Sequence, residues 1–214
     1  AGLVGSEMCI RDRANANGQG FGLRPAMRVG NTPAIQGQSK YEIDAGETNA
    51  IYNGEPVKVD ISASTGGYIV TAAAGTAMVG TLNGVTFTDA TTLKPTFANF
   101  YKGGVTPANS EDVTAFVNDD PFQEYIIATD ATLGGTLALR KSKIGLTYAT
   151  TASAGDDTNG RSSLQLGIST AATTAKQLRM VRIAEDVENQ DQTAANCSVI
   201  VKVNLHQYLS LIHI

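Results

Sequence analysis

Hydrophobic residues along this chain recur at every second position, not at the three-to-four spacing of a helix. Val57, Val59 and Ile61 alternate with Lys58 and Asp60, which places the apolar side chains on one face of a strand and the charges on the other. The segment 198–205 repeats the pattern, with Val199, Val201, Val203 and Leu205 set against Ile200, Lys202 and Asn204. Further short strands are predicted over 41–43, 68–71, 77–82, 85–88, 97–101, 113–117, 125–128, 143–148, 164–168 and 177–183. Between them, Asn53-Gly54, Gly66-Gly67, Asn83-Gly84, Gly103-Gly104, Gly134-Gly135 and Asn159-Gly160 supply the positive-φ positions that tight turns require. Many short strands joined by glycine-rich turns predict an all-β protein, a β-sandwich or β-barrel of short antiparallel strands. Helix is expected only as a turn or two, at 131–139 or 107–113, the first broken by Gly134 and Gly135.

Residues 14–38 have no sustained period and are rich in Gly, with Pro25 and Pro33, so they are expected to form an extended arm. The arm concentrates Phe21, Leu23, Arg24, Pro25, Met27 and Arg28, apolar and cationic groups that a solvated tail has little reason to gather. Two destinations fit: a neighbouring subunit, which makes these six residues candidate interface residues, or the arm's own domain. The β pattern behind it divides into subdomains 39–105 and 106–209, which also read as one domain. Two polar stretches, 150–161 and 186–196, are long enough to be exposed contact loops.

The two ends stand apart from this pattern. Gly2 to Arg13 resembles translated sequencing-adapter DNA, as does Leu209 to Ile214, so residues 1–13 and 210–214 are expected to be non-native tails and are left out of fold reasoning. Their exclusion changes the chemistry. Cys9 and His213 leave with them, so the body keeps one cysteine, Cys197, and one histidine, His206. A single thiol makes no intrachain disulfide, and this pair is too few for a structural zinc site.

The net charge of −4 argues against a nucleic-acid-coating role, which needs clustered Lys and Arg. No apolar run approaches the roughly 18 to 20 residues of a membrane-spanning helix, so neither nucleic acid nor membrane is expected as a partner. Charged residues make up 17%, below the usual quarter, which leaves a neutral, hydroxyl-rich surface suited to lying against another protein.

Candidate chemistry is sparse. Gly18-Gln19-Gly20-Phe21-Gly22 has the look of a phosphate loop, but Leu23 stands where a further glycine belongs and no strand or helix flanks it, so it reads as arm. Asp156-Asp157-Thr158-Asn159-Gly160 has the look of a calcium loop. With Gly160 in sixth position, however, Gly155 and Leu166 occupy two principal carboxylate positions, and an Asn-Gly turn is the better reading. Asn118-Asp119-Asp120-Pro121 has the same ambiguity and more simply marks a turn. Cys197 and His206 sit at opposite ends of one predicted strand, about 30 Å apart at about 3.3 Å per residue, too far for a dyad. Glu185, Asp186 and Glu188 read as a solvated turn. No activated nucleophile, metal cage or cofactor cradle emerges, so no catalysis, cofactor or metal is expected.

Five stretches carry a resemblance to virion proteins of tailed bacteriophages: Gly20–Pro25, Asn53–Val59, Gly160–Leu166, Gln177–Val181 and Val201–Tyr208. Segment 186–196, Gln- and Asp-rich here, departs from it. The resemblance implies a capsid decoration protein that stabilises the head lattice by binding the major capsid protein across subunits. It also implies a cyclic homotrimer, placed on the capsid surface and assembled in the bacterial cytoplasm. Three rivals remain: another virion part, such as a tail or fibre protein, a carbohydrate-binding adhesive module, and a hydrolase with an unrecognised site. The absence of Trp and the 6% aromatic content weigh against the second.

Overall fold

The computed structural model describes residues 15–209, apart from 17, 30, 31, 34–36, 63, 65 and 152–154; the two expected non-native tails lie outside the described residues. Strands take up 39% of the chain and helix 7%, in several antiparallel sheets. In chain order the strands are β1 (Arg24–Arg28), β2 (Thr32–Pro33), β3 (Ser39–Ile43), β4 (Pro56–Val59), β5 (Ile69–Thr71), β6 (Gly80–Thr88) and β7 (Pro95–Ala98). Next come β8 (Val113–Asn118), β9 (Gln123–Ala128), helix α1 (Leu137–Ser142), β10 (Thr147–Tyr148), β11 (Gly155–Asp156), β12 (Arg161–Ser162), β13 (Leu178–Ile183) and β14 (Ser198–Val203).

One sheet has the order β3-β8-β6-β4-β5, with β7 on the far half of β6; the other runs β10-β13-β14-β9-β1-β2. Both are open, so of the two architectures expected it is the sandwich, not the closed barrel, that fits. Alternation places the cores. Ile43, Val57, Ile69, Leu82, Val85, Val113, Ala115 and Val117 pack beneath the first sheet with Ile51 and Tyr101. Leu23, Tyr125, Ile127, Tyr148, Leu178, Met180, Val199, Val201 and Val203 pack beneath the second. Each such aliphatic side chain, fully buried, contributes about 1.5–3 kcal/mol. Met78 and Ala72, from the segment joining β5 to β6, sit in the second core, so the two sheets share packing.

Several boundaries differ from the expected ones for local reasons. Asn83-Gly84 is no turn: β6 runs through it, and the register with β8 shifts between Leu82 and Gly84. A Cβ at Gly84 would press on Phe97 and on the Ala98 carbonyl, so the glycine serves a bulge and a close approach. Segment 164–168 is not a strand: only Leu166 bridges, to Thr129 and Thr150, before a single helical turn begins at Ile168. Residues 143–146 form the cap and turn that follow α1, whose start is capped by Thr136 Oγ1, which accepts the Leu139 N–H at 3.3 Å. The exchange between sheets falls in the turn 119–122, since β8 pairs with β3 and β6 while β9 pairs with β1 and β14.

The arm is where the structure departs most from the pattern. Residues 24–28 form β1, paired antiparallel to β9 of the same chain. Leu23 is 0% and Phe21 3% exposed. Of the two expected destinations, the described arm packs on its own domain, with those two side chains buried within it. Proline at 25 and the absence of alternation hid the strand; β1 tolerates Pro25 beside the register shift between Pro25 and Met27.

Candidate functional site

The side of the second sheet opposite its core gathers the charges of β1, β9, β13 and β14. Arg24 opposes Ile126, which opposes Ile200, which opposes Arg182; one row along, Met27, Glu124, Lys202 and Arg179 line up in the same way. Four cations therefore share this face with one carboxylate. Glu124, 2% exposed, meets Arg182 at 3.1 Å, and Arg182 Nη2 also lies 4.0 Å from Met27 Sδ. Removing Arg182 would leave a buried carboxylate without its counter-ion, a change that typically costs about 3–5 kcal/mol, so this arginine has a structural duty. Arg179 is held by neutral acceptors, Asn204 Oδ1 at 3.2 and 3.1 Å and the Gly145 carbonyl at 2.7 Å, and keeps its full charge for the surface. Lys202 is half-buried and forms no ion pair among the described residues.

The six arm residues are thus divided. Phe21 and Leu23 are core; Arg24 and Met27 face outward on the basic side; Pro25 is half-buried opposite Tyr125; Arg28 turns to the loop after β8 and pairs with Asp120 at 2.7 Å. With side chains 36% and 23% exposed, that last pair is worth about 0–1 kcal/mol.

Beside the basic face lies a smaller arrangement that alternation could not indicate. Arg24 and Arg161 stand over the ring of Phe21, their guanidinium carbons 5.3 and 5.5 Å from its centroid. The Arg161 guanidinium is lowered from its usual value first by burial and then by the charge of Arg24. Arg161 belongs to the β11–β12 hairpin, which leans on stacked Tyr52 and Phe100 rings 5.6 Å apart. Any Cβ at Gly155 would overlap Tyr52, and one at Gly160 would overlap Phe100, so both glycines are fixed by that seat.

The calcium-like loop is this hairpin's turn. Asp156 accepts from the Thr158 N–H at 2.8 Å and from Asn159 Nδ2 at 2.6 Å, while Asp157 accepts the Tyr52 hydroxyl at 2.7 Å. Among the described residues no group of three or more His, Cys, Asp or Glu side chains is placed to hold a metal. Near Asp119, the histidine acts as a clasp. Nδ1 of His206 accepts the Tyr208 N–H at 3.2 Å, which leaves Nε2 to donate to the Asp119 carbonyl, also at 3.2 Å. Cys197 lies at the other end of β14, fully buried, its thiol pushed up to about 11 mainly by burial. The 186–196 loop is tied down: Asp186 accepts from Glu188 N–H, Asn189 and Ser198, and Asn15 clasps Asp191 and Ala195. No family model, no curated protein and no solved structure matches the chain.

Proposed function

We propose that this is a virion structural protein of a tailed bacteriophage that decorates the capsid, docking the basic side of its second sheet against an acidic surface of the major capsid protein. The observation that carries the docking surface is the row pairing that sets Arg24, Arg179, Arg182 and Lys202 around exposed Met27 with a single, already paired carboxylate. The phage and capsid assignment rests on the sequence resemblance; its expected homotrimer is part of the proposal. Charge of one sign on a rigid sheet steers an oppositely charged partner and fixes its orientation, while Met27 supplies adaptable apolar contact. Modest contacts suffice, because copies on a repeating lattice act together.

The test is binding of the chain to purified heads of its phage, with head survival on heating as second readout. The chain is expected to bind and to raise the temperature at which heads release their DNA. A double variant, Met27→Ser with Lys202→Gln, is expected to bind about tenfold more weakly with a shallower salt dependence. Heads that neither bind the chain nor gain heat resistance would overturn the reading.

A further inference from the structure

We propose that the groove between the Gly18-Gln19-Gly20 strap and the β11–β12 hairpin binds a small oxyanion, with Arg161 as the cation that lines it and Arg24, over the same Phe21 ring, adding positive charge from outside the groove. The groove encloses about 280 Å³ and is lined by Gly18, Gly20, Arg161 and Ser162, with Asp156 and Asn159 at its turn side. That volume accommodates a phosphate, sulfate or carboxylate group and lies just below the roughly 300–1,000 Å³ of pockets that hold larger ligands.

Three observations point to an anion. First, two guanidiniums share one ring, and among the described residues neither forms an ion pair. Like charges held together this way repel, and an oxyanion accepting the guanidinium fork relieves that repulsion while making strong charge-assisted hydrogen bonds. Second, Gly18, Gln19 and Gly20 line the groove together with Arg161, and Gly18 leaves open space where a side chain would stand, so a ligand can approach the strap closely. The strap is fixed at both ends. Asn15 is clasped by Asp191 and Ala195, while Gly22 donates to the Leu164 carbonyl at 3.1 Å and Leu23 to that of Gly54 at 2.8 Å. Third, the one carboxylate lining the groove is occupied. Asp156 opposes Arg161 across the hairpin, yet both its oxygens accept from its own turn and it forms no ion pair with that arginine. Asp186, beyond the groove, also feels Arg24, but it is engaged by Asn189, Glu188 and Ser198. The cation thus left uncompensated in the groove is Arg161.

The site shares Arg24 with the docking face but is centred on Arg161, and the two are tested by different variants. Sodium sulfate, sodium phosphate and a short glutamate-rich peptide are titrated into the isotopically labelled chain, against sodium chloride at matched ionic strength. Saturable shifts of the Gly18 and Gly20 amides and of the Arg161 side-chain N–H are expected, with dissociation constants on the order of millimolar. Arg161→Gln is expected to weaken binding at least about tenfold, Arg24→Gln less, and Lys202→Gln not at all. Asp156→Asn is expected to tighten an anion; weakening on that change would mark a cation site and overturn the proposal. Equal shifts with chloride and sulfate, or unchanged binding in Arg161→Gln, would overturn it too. Because Arg161 is exposed, its variant is expected to fold; as a check that needs no variant, sulfate should raise the melting temperature of the unaltered chain more than chloride. Tighter binding of the peptide than of the inorganic ions would identify the oxyanion as a carboxylate of a protein partner, and the reverse order a free anion.

Discussion

Burial of Glu55 beside the Asn53-Gly54 turn pushes its carboxyl up from about 4.5 to about 7, only partly countered by the Tyr52 N–H that it accepts at 2.8 Å. A carboxyl raised on folding contributes stability that is fully present below about 4.5 and is lost as pH climbs through about 7, at most about 3 kcal/mol. His206 works the other way. Burial lowers it, so its contribution is present above its ordinary value of about 6.5 and fades as acid protonates Nδ1 and breaks the Tyr208 contact. The two effects oppose each other between roughly pH 4.5 and 6.5. Melting curves across pH 4.5–8 should separate them. Glu55→Gln, whose amide oxygen still accepts the Tyr52 N–H, is expected to gain stability at pH 8 and to lose it more steeply in acid. His206→Gln is expected to leave stability falling as pH rises; an unchanged profile in either variant contradicts the assignment.

At the level of elements, the hairpin and the arm strand depend on close approach. Gly155→Ala would thrust a methyl group into the Tyr52 ring and is expected to cost about 1–3 kcal/mol, read by denaturant midpoint, with altered ring resonances of Tyr52 and Phe100. Leu23→Ala should cost about 2–5 kcal/mol, because the side chain is wholly inside the second core. Deleting residues 14–38 is expected to do more. It removes β1 and β2 and uncovers the edge of β9, a strand whose Tyr125 and Ile127 are core residues, so light scattering should report aggregation where the full chain stays dispersed. The hydrophobic alternation made β9, β13 and β14 legible, but β1 was not: its five residues contain a proline and a register shift, and only pairing with β9 makes them a strand.

Across the whole molecule, charge is unevenly placed. Residues 39–118, most of the first sheet and its turns, hold four lysines (Lys40, Lys58, Lys94, Lys102) against eight carboxylates, which accounts for the entire net −4; the remainder is balanced. Within that remainder the second sheet carries Arg24, Arg28, Arg179, Arg182 and Lys202 against Glu124 alone, so a nearly neutral part still presents a basic face. Association with an acidic partner should therefore weaken as salt rises past a Debye length of about 8 Å, which binding measured from 50 to 300 mM salt would reveal. Sedimentation of the free chain is expected to give three times its 22.3 kDa mass if the trimer implied by resemblance forms without the capsid; a monomer at micromolar concentration counts against it. The sequence by itself determined the class of fold and the inward residues of the regular strands, because period two is a local property that each strand carries alone. It also determined that Cys197 and His206 flank one strand and form no dyad. Only the tertiary structure decided that the arm is a strand of its own sheet and that Arg24 joins Arg182 and Lys202 on one face. It alone brought Arg161, distant in the chain, to the ring of Phe21. Those neighbours meet through cross-strand pairing and loop packing over long separations, for which no spacing along the chain is a signal.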